Sequence, residues 1–400
     1  MISTERALGA ARWSLRMKND LPSPTKDLPR EKGGRFEDLK RSVVDQDLCS
    51  RCGACVAACP VRVLEFSPSG PKLSGECIGC GTCIHICHGP GIDMSSFEKG
   101  LFGRSRKGGR GRPLGLYQKK MYLSASDRSV FRRGYFGGRV SAVLISALKR
   151  GDIDCALLTD WGDKGDISMG KARIVRTEEG ILSHASTKYV FSPVLTLLPY
   201  LEMDPDLNRA ALVGLPCHIQ AFRKMRSDPV ASKVTSKVKY LISLNCGSSL
   251  MEEGDWRDLL GRLMEVPSDG IGSVNARKTS GSTLRFVVGL KDGHEVERTV
   301  HIGRYFKEIT SRPRPSRCDM CPDYSGELSD LTFGAPVIRT RQGMELIDGA
   351  MKDGSLRKAS IKMQLSQRSM DIVVSRKKRC KCLRTISRRR RRKEPCPVYG

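Results

Sequence analysis

The sequence predicts a mixed α/β body, with a mainly parallel sheet and hairpin additions, preceded by a small cysteine-rich domain. Three observations carry this: two identical four-cysteine runs near the start, apolar strands alternating with amphipathic segments between residues 139 and 246, and an Asp-Gly turn between two alternating runs near residue 292. A chain of 400 residues, 39% of them hydrophobic, has apolar material for two or three cored domains.

The cysteine runs come first. Residues 49–59 read CSRCGACVAAC and residues 77–87 read CIGCGTCIHIC, each C-x2-C-x2-C-x3-C, the run used by bacterial ferredoxins. Two-residue gaps let one tight loop present three thiolates to a cubane, and the fourth comes from the other copy. Cys49, Cys52, Cys55 and Cys87 are therefore expected to hold one 4Fe-4S cluster, and Cys77, Cys80, Cys83 and Cys59 a second. Structural zinc also uses C-x2-C pairs, but eight cysteines in two identical runs favour clusters. Gly53 and Gly81 remove side chains where backbone amides approach the inorganic sulfurs. His88 stands where a ferredoxin run usually has Pro, and reads as a solvated side chain in preference to a donor near the cluster.

No apolar h-region forms at the N-terminus, where Glu5, Arg6 and Arg12 interrupt it, and no eighteen-residue apolar stretch occurs anywhere. The expectation is a cytoplasmic chain without a transmembrane segment, whose thiols stay reduced, so a secreted disulfide scaffold is excluded.

In the body, RVSAVLISALKR (139–150) has helical spacing up to Gly151, and IDCALLTD (153–160) reads as a buried strand. SPVLTLLPYLEM (192–203) reads as helix, AALVGLP (210–216) as strand and turn, HIQAFRKMR as helix, and VKYLISLNC (238–246) as strand again. RFVVGLKDGHEVERTVHI carries the hairpin turn.

The formal charge of +27 is concentrated. Residues 101–150 carry +12 and residues 376–400 carry +11, which leaves most of the chain close to neutral. A nucleic-acid-binding face would spread over folded elements with interleaved aromatics, so no nucleic-acid partner is expected. The terminal run RKKRCKCLRTISRRRRRK reads as a solvated tail.

Four more cysteines fall at informative places: Cys217 and Cys246 at strand ends, and Cys318 and Cys321 in RCDMCPDYSGELSDLTFG. Cofactors gather at the carboxyl ends of parallel strands, and four thiolates suffice for a third 4Fe-4S cluster. Packing as small hydrophobes is the other reading, and it is the one taken for mid-strand Cys155. Cys380, Cys382 and Cys396 read as unligated thiols.

From residue 36 onward the chain resembles a known family. The motifs, in order, are the ferredoxin pair, CHGPGIDMSSFEKGLFG, GYFGGRVSAVLISAL, STKYVFSPVL, VGLPCHIQAFRKM, LNCGSS, CDMCPDYSGELSDLTFG and VIRTRQG. Together they resemble the beta subunits of coenzyme F420-reducing hydrogenase and F420-dependent formate dehydrogenase, and the electron-input subunit of F420H2 dehydrogenase. The resemblance implies an iron-sulfur flavoprotein oxidoreductase that exchanges a hydride between coenzyme F420 and FAD, with 4Fe-4S clusters passing single electrons to or from a protein redox partner. That partner would be a hydrogenase, a dehydrogenase or a membrane complex on which the chain docks peripherally.

The same resemblance implies a third cluster on Cys217, Cys246, Cys318 and Cys321. It implies FAD against Gly137, Gly138 and Ser141, with Lys188, Tyr189 and Ser192 and then Gly214, Pro216 and His218 nearby, and a late pair at Arg339 and Thr340. Lys188 is the side chain expected to contact flavin or phosphate, against its reading as a solvated lysine at a strand end. The chain accordingly divides into a ferredoxin-like domain over 36–100, a basic linker over 101–132, a flavin-binding region over 133–230 and a C-terminal region over 231–375, while the basic extension over 1–35 and the Arg-rich tail over 376–400 have no counterpart in the family. Three departures stand out: Tyr135 and Phe136 before the double glycine, His218 where Gln is common, and LTFGAPVI (331–338), shorter than the family's glycine-rich loop.

A deazaflavin moves hydride, clusters move one electron, and a flavin can do both, so no side-chain acid or nucleophile is required. Arg and Lys of the basic insert, Arg132 and Arg133 among them, could steer the anionic tail of F420. Two rival readings are a same-fold reductase acting on another substrate, and a non-catalytic electron carrier whose flavin site has decayed.

Overall fold

The computed structural model describes residues 34–106, 113–134, 137–161, 170–186, 188, 190–247, 253–278, 283–310, 312, 315–334, 337–359 and 361–399. Most of the expected N-terminal extension lies outside these residues, as do Tyr135, Phe136 and Tyr189.

The first domain opens with helix α1 (Phe36–Leu39) and contains two short helices, α2 (Ala54–Ala58) and α3 (Thr82–His85), one after each cysteine loop. Between them lies an antiparallel hairpin, β1 (Leu64–Ser67) with β2 (Gly70–Leu73). Gly53 and Gly81 cap α2 and α3 at φ +84° and +73°, a left-handed turn that L side chains rarely adopt. Strand β3 (Gly91–Ile92) and helix α4 (Met94–Phe102) lead into the body.

The body follows in chain order as β4 (Lys119–Lys120), β5 (Leu123–Ala125), α5 (Arg128–Arg133), α6 (Arg139–Lys149), β6 (Cys155–Asp160), β7 (Lys171–Val175), α7 (Glu178–Ser183), α8 (Leu198–Met203), β8 (Ala210–Gly214), α9 (Pro216–Ser227) and β9 (Val238–Leu244). After α10 (Glu253–Met264), strands β10 (Ile271–Lys278), β11 (Thr283–Leu290) and β12 (Glu295–His301) form an antiparallel sheet. The Asp-Gly hairpin lies between the last two strands. Then come α11 (Ile302–Thr310), α12 (Ser316–Asp319), β13 (Leu331–Phe333), β14 (Val337–Ile338), α13 (Arg341–Lys352), β15 (Leu356–Lys358), α14 (Ile361–Arg391) and β16 (Val398–Tyr399).

The main sheet runs β4-β14-β13-β9-β8-β6-β7. Its four central strands, β13, β9, β8 and β6, are parallel, and its antiparallel partners sit at the edges. Strand β8 is buried on both faces, as a central parallel strand must be. Ala211 and Val213 point to a core shared with α6 and α13, whereas Ala210 and Leu212 point to a core shared with α8 and α9. Ala54, Ala57, Ile86 and Met94 join the second core, so the cysteine-rich domain packs directly on the body.

The terminal segment departs from the reading of a solvated tail. Residues 361–391 form one helix, and Cys382 and Ile386 share a core with Phe36, Leu39, Leu48 and Leu64 of the first domain. Strand β16 pairs in parallel with β3. Among the described residues no helix is long and apolar enough to cross a membrane.

Candidate functional site

All sixteen cysteines are free thiols. Cys49, Cys52, Cys55 and Cys87 line one cavity, with about 430 Å³ of atom-free space partly open to solvent. Cys59, Cys77, Cys80 and Cys83 line a second cavity of about 330 Å³. This is the crossed grouping that the spacing predicts. Among the described residues no three His, Cys, Asp or Glu side chains converge as a single metal ion needs. The thiols instead surround a space, which fits a cluster whose ligands bind separate irons.

Main-chain N–H groups of Arg51 and Gly89 point at the sulfurs of Cys49 and Cys87, at 3.4 and 3.3 Å. Burial pushes the Cys49 and Cys83 thiols up to about 12 and Cys52 to about 11. Thiols so buried and mutually crowded need positive charge among them to ionise, and cluster iron supplies it.

His88 is 2% exposed, not solvated as the sequence suggests. Arg317 Nη2 donates to its Nδ1 at 3.1 Å, so Nε2 carries the proton and donates to Ser50 Oγ at 2.7 Å. Burial, reinforced by the Arg317 and Lys224 charges, holds its pKa well below the usual value. The residue braces the wall of the first cavity.

The four later cysteines come from separate elements. Cys217 follows β8 at the start of α9, Cys246 follows β9, Cys318 lies on α12 and Cys321 lies just beyond it. The Cys246 N–H donates to the Tyr324 carbonyl at 2.8 Å, drawing the end of β9 onto the 318–324 loop. Burial pushes the Cys217 thiol well up, and the neighbouring thiols of Cys246, Cys52, Cys321 and Cys318 add to it. Cys246, Cys52, Cys321 and Cys318 thus lie close enough to Cys217 to act on it electrostatically. Cys155, by contrast, is fully buried in the strand core.

Of the candidate flavin residues, Ser192, Gly214 and His218 lie together at the carboxyl end of β6 and β8. Gly137 and Gly138, at φ +78° and +65°, lead into α6, where Ser141 is buried. A Cβ on Gly138 would lie 2.2 Å from the Val130 carbonyl, so the chain's own close approach already demands that glycine. Ser192 Oγ lies 2.8 Å from Thr159 Oγ1. Pro216 opens α9, and Gly214 sits against His218, whose Nδ1 accepts from the Leu215 N–H at 3.0 Å. Burial lowers the His218 pKa to about 4, so the ring is neutral. Lys188 Nζ donates to the His184 carbonyl at 2.6 Å, and burial lowers its pKa to about 8, partly offset by Asp160.

Arg339 and Thr340 are engaged elsewhere. The buried Arg339 guanidinium donates to the carbonyls of Leu114 and Leu116 and to Ser325, holding the 114–116 segment. Thr340 Oγ1 caps α13 and donates to Asp330 at 3.0 Å. Both are framework contacts in this structure. Sequence reasoning missed Arg317, Lys224 and Lys378, whose contacts with cysteine-bearing loops have no local signal.

Three family models match consecutive parts of the chain. Residues 41–88 match a 4Fe-4S dicluster domain, residues 121–199 the N-terminal part of the coenzyme F420 hydrogenase/dehydrogenase beta subunit, and residues 207–364 its C-terminal part. The chain belongs to this family of beta subunits. Among its relatives is the coenzyme F420-dependent sulfite reductase of Methanocaldococcus jannaschii, 26% identical over 343 residues, which cover 80% of this chain and 48% of that protein. The chain thus spans about half the length of that relative. The beta subunit of coenzyme F420 hydrogenase from Methanosarcina barkeri is 26% identical over 251 residues, covering 60% of this chain and 81% of that protein.

A chain of the F420-reducing NiFe hydrogenase complex from Methanosarcina barkeri has the same fold. Its TM-score is 0.55 at 23% identity, covering 69% of this chain and 94% of that one. The fold of the F420 beta subunits, with an N-terminal 4Fe-4S domain, is thereby established for this member.

Proposed function

We propose that this protein exchanges a hydride between coenzyme F420 and FAD at the carboxyl edge of the seven-stranded sheet, and passes electrons singly between that edge and a partner protein. FAD, when bound, supplies the exchange between paired and single electrons. One observation carries the reading: the three cysteine groups lie close enough to act on one another electrostatically, Cys52 on Cys217 and Cys83 on Cys55. Cys49, Cys52, Cys55 and Cys87 would hold one 4Fe-4S cluster, Cys59, Cys77, Cys80 and Cys83 a second, and Cys217, Cys246, Cys318 and Cys321 a third.

The chain's own residues orient and attract. The N-terminal amides of α6, after Gly137 and Gly138, suit a phosphate or a ring carbonyl, and Lys188, facing Asp160 at the end of β6, supplies a cation. Ser192 and neutral His218 complete a polar edge without adding charge. Arg132 and Arg133 are exposed at the end of α5, close in sequence to that edge, and would draw in the phosphodiester and polyglutamate tail of F420.

A second reading, an electron carrier without flavin, is favoured by the engagement of Arg339 and Thr340 in framework contacts beside the short 331–338 segment. Anaerobically reconstituted protein separates the two. One FAD and about twelve irons per chain, with F420 absorbance gained as F420H2 reduces a dye acceptor, support the first reading. Iron without flavin or F420 turnover overturns it.

A further inference from the structure

We propose that the terminal helix α14 is a clasp over the Cys217, Cys246, Cys318 and Cys321 group, and that Lys378 is a positioning residue that joins its two cysteine-bearing loops and raises the reduction potential of the cluster held there. The inference rests on the third cluster proposed above.

Lys378 is 9% exposed, although it stands in a run of charged residues. Its Nζ donates to the Cys246 carbonyl at 2.8 Å and to the Asp323 carbonyl at 2.6 Å. One ammonium thus ties the loop after β9 to the loop after α12, and each of these loops carries candidate ligands. Neighbouring turns of α14 grip the same region. Lys381 pairs with Asp319 at 2.7 Å, and the Cys382 thiol donates to the Met320 carbonyl at 3.1 Å, between Cys318 and Cys321. Arg379 pairs with buried Glu327. The Tyr399 hydroxyl, beyond the helix, reaches the Met320 carbonyl at 3.1 Å.

The buried positions Ser375, Lys378, Cys382 and Ile386 recur at intervals of three and four residues, the spacing of one helix face. The charged residues between them, such as Arg376, Lys377 and Arg384, face outward. The terminal basicity is therefore the exposed side of a folded element whose inner side presents one cation to the thiols.

Electrostatics give the sign of the effect. Lys378 Nζ, held on the two main-chain carbonyls of Cys246 and Asp323, is a fixed ammonium beside the cysteine-bearing loops. Each electron accepted by a site of four thiolates adds one negative charge, and a fixed cation beside it favours the reduced state. No substrate contact is involved, since Lys378 acts through the loops and the local field.

The test uses full-length protein, purified and reconstituted anaerobically, with potentiometric titration followed by electron paramagnetic resonance. Cys318→Ser should remove one signal and about four irons, which identifies the third cluster. Lys378→Met should shift that signal alone by about tenfold in the reduction equilibrium toward lower potential, about 59 mV for one electron, and Lys378→Arg should restore most of it. Loss of only the third cluster's irons in Lys378→Met, with retention in Lys378→Arg, also supports the clasp. An unmoved potential at about twelve irons, or an equal shift in Lys378→Arg, overturns the role of Lys378 while the third cluster stands. About eight irons in the unsubstituted chain overturns the third cluster and this inference with it.

Discussion

The Lys224 ammonium donates a 2.6 Å hydrogen bond to the carbonyl of Cys87, joining helix α9 of the body to the last cysteine of the ferredoxin-like runs. A charged donor on a partly buried carbonyl is worth about 1.5–3 kcal/mol. Lys224→Met should therefore lower the urea midpoint of the iron-loaded protein by a corresponding amount. An unchanged midpoint would show that the two domains are held by their shared apolar core alone.

Lys188 gives a pH dependence. Its folded pKa, about 8, lies below the ordinary lysine value of 10.5, with burial as the main cause. Between these values the unfolded chain binds the proton and the folded chain does not. Its contribution to stability therefore rises as pH goes from about 8 to 10.5, by up to about 1.4 kcal/mol per pH unit. Denaturation of Lys188→Met and the unsubstituted protein at pH 7.5 and 10 should show a smaller pH increment in the variant. Equal increments would place the ammonium in solvent.

Arg132 and Arg133 are exposed and carry positive charge at the end of α5. Reversing both to Glu should raise the KM for F420 about tenfold at low salt while changing kcat little, and the difference should shrink as salt increases. A salt-independent effect would contradict steering.

Glu327, 2% exposed, accepts from both Arg106 and Arg379. Glu327→Leu removes the anion from a buried charge network and should cost about 3–5 kcal/mol in denaturation experiments. A loss below about 1 kcal/mol would mean that water reaches the two guanidinium groups.

The two ferredoxin-type groups were legible in the sequence because each loop supplies three ligands within seven residues. The parallel strands were legible because β8 is apolar on both faces and β9 carries Val238, Tyr240, Ile242 and Leu244 on one. The approach of the loop after β9 to the 318–324 loop depends on strand order, which periodicity does not encode. His88 was misread because Ser50 and Arg317, its partners, are remote in sequence. The terminal helix was misread because the face it buries holds Ser375, Lys378, Cys382 and Ile386, only two of them apolar, amid a dense run of arginines.

Strand β16 pairs with β3, which lies about three-quarters of the chain earlier, and its Tyr399 hydroxyl accepts from Arg317. During synthesis the two cysteine loops leave the ribosome long before this pairing can form. The hydrogen bond from Arg317 to Tyr399 can therefore form only after both cysteine loops have been synthesised.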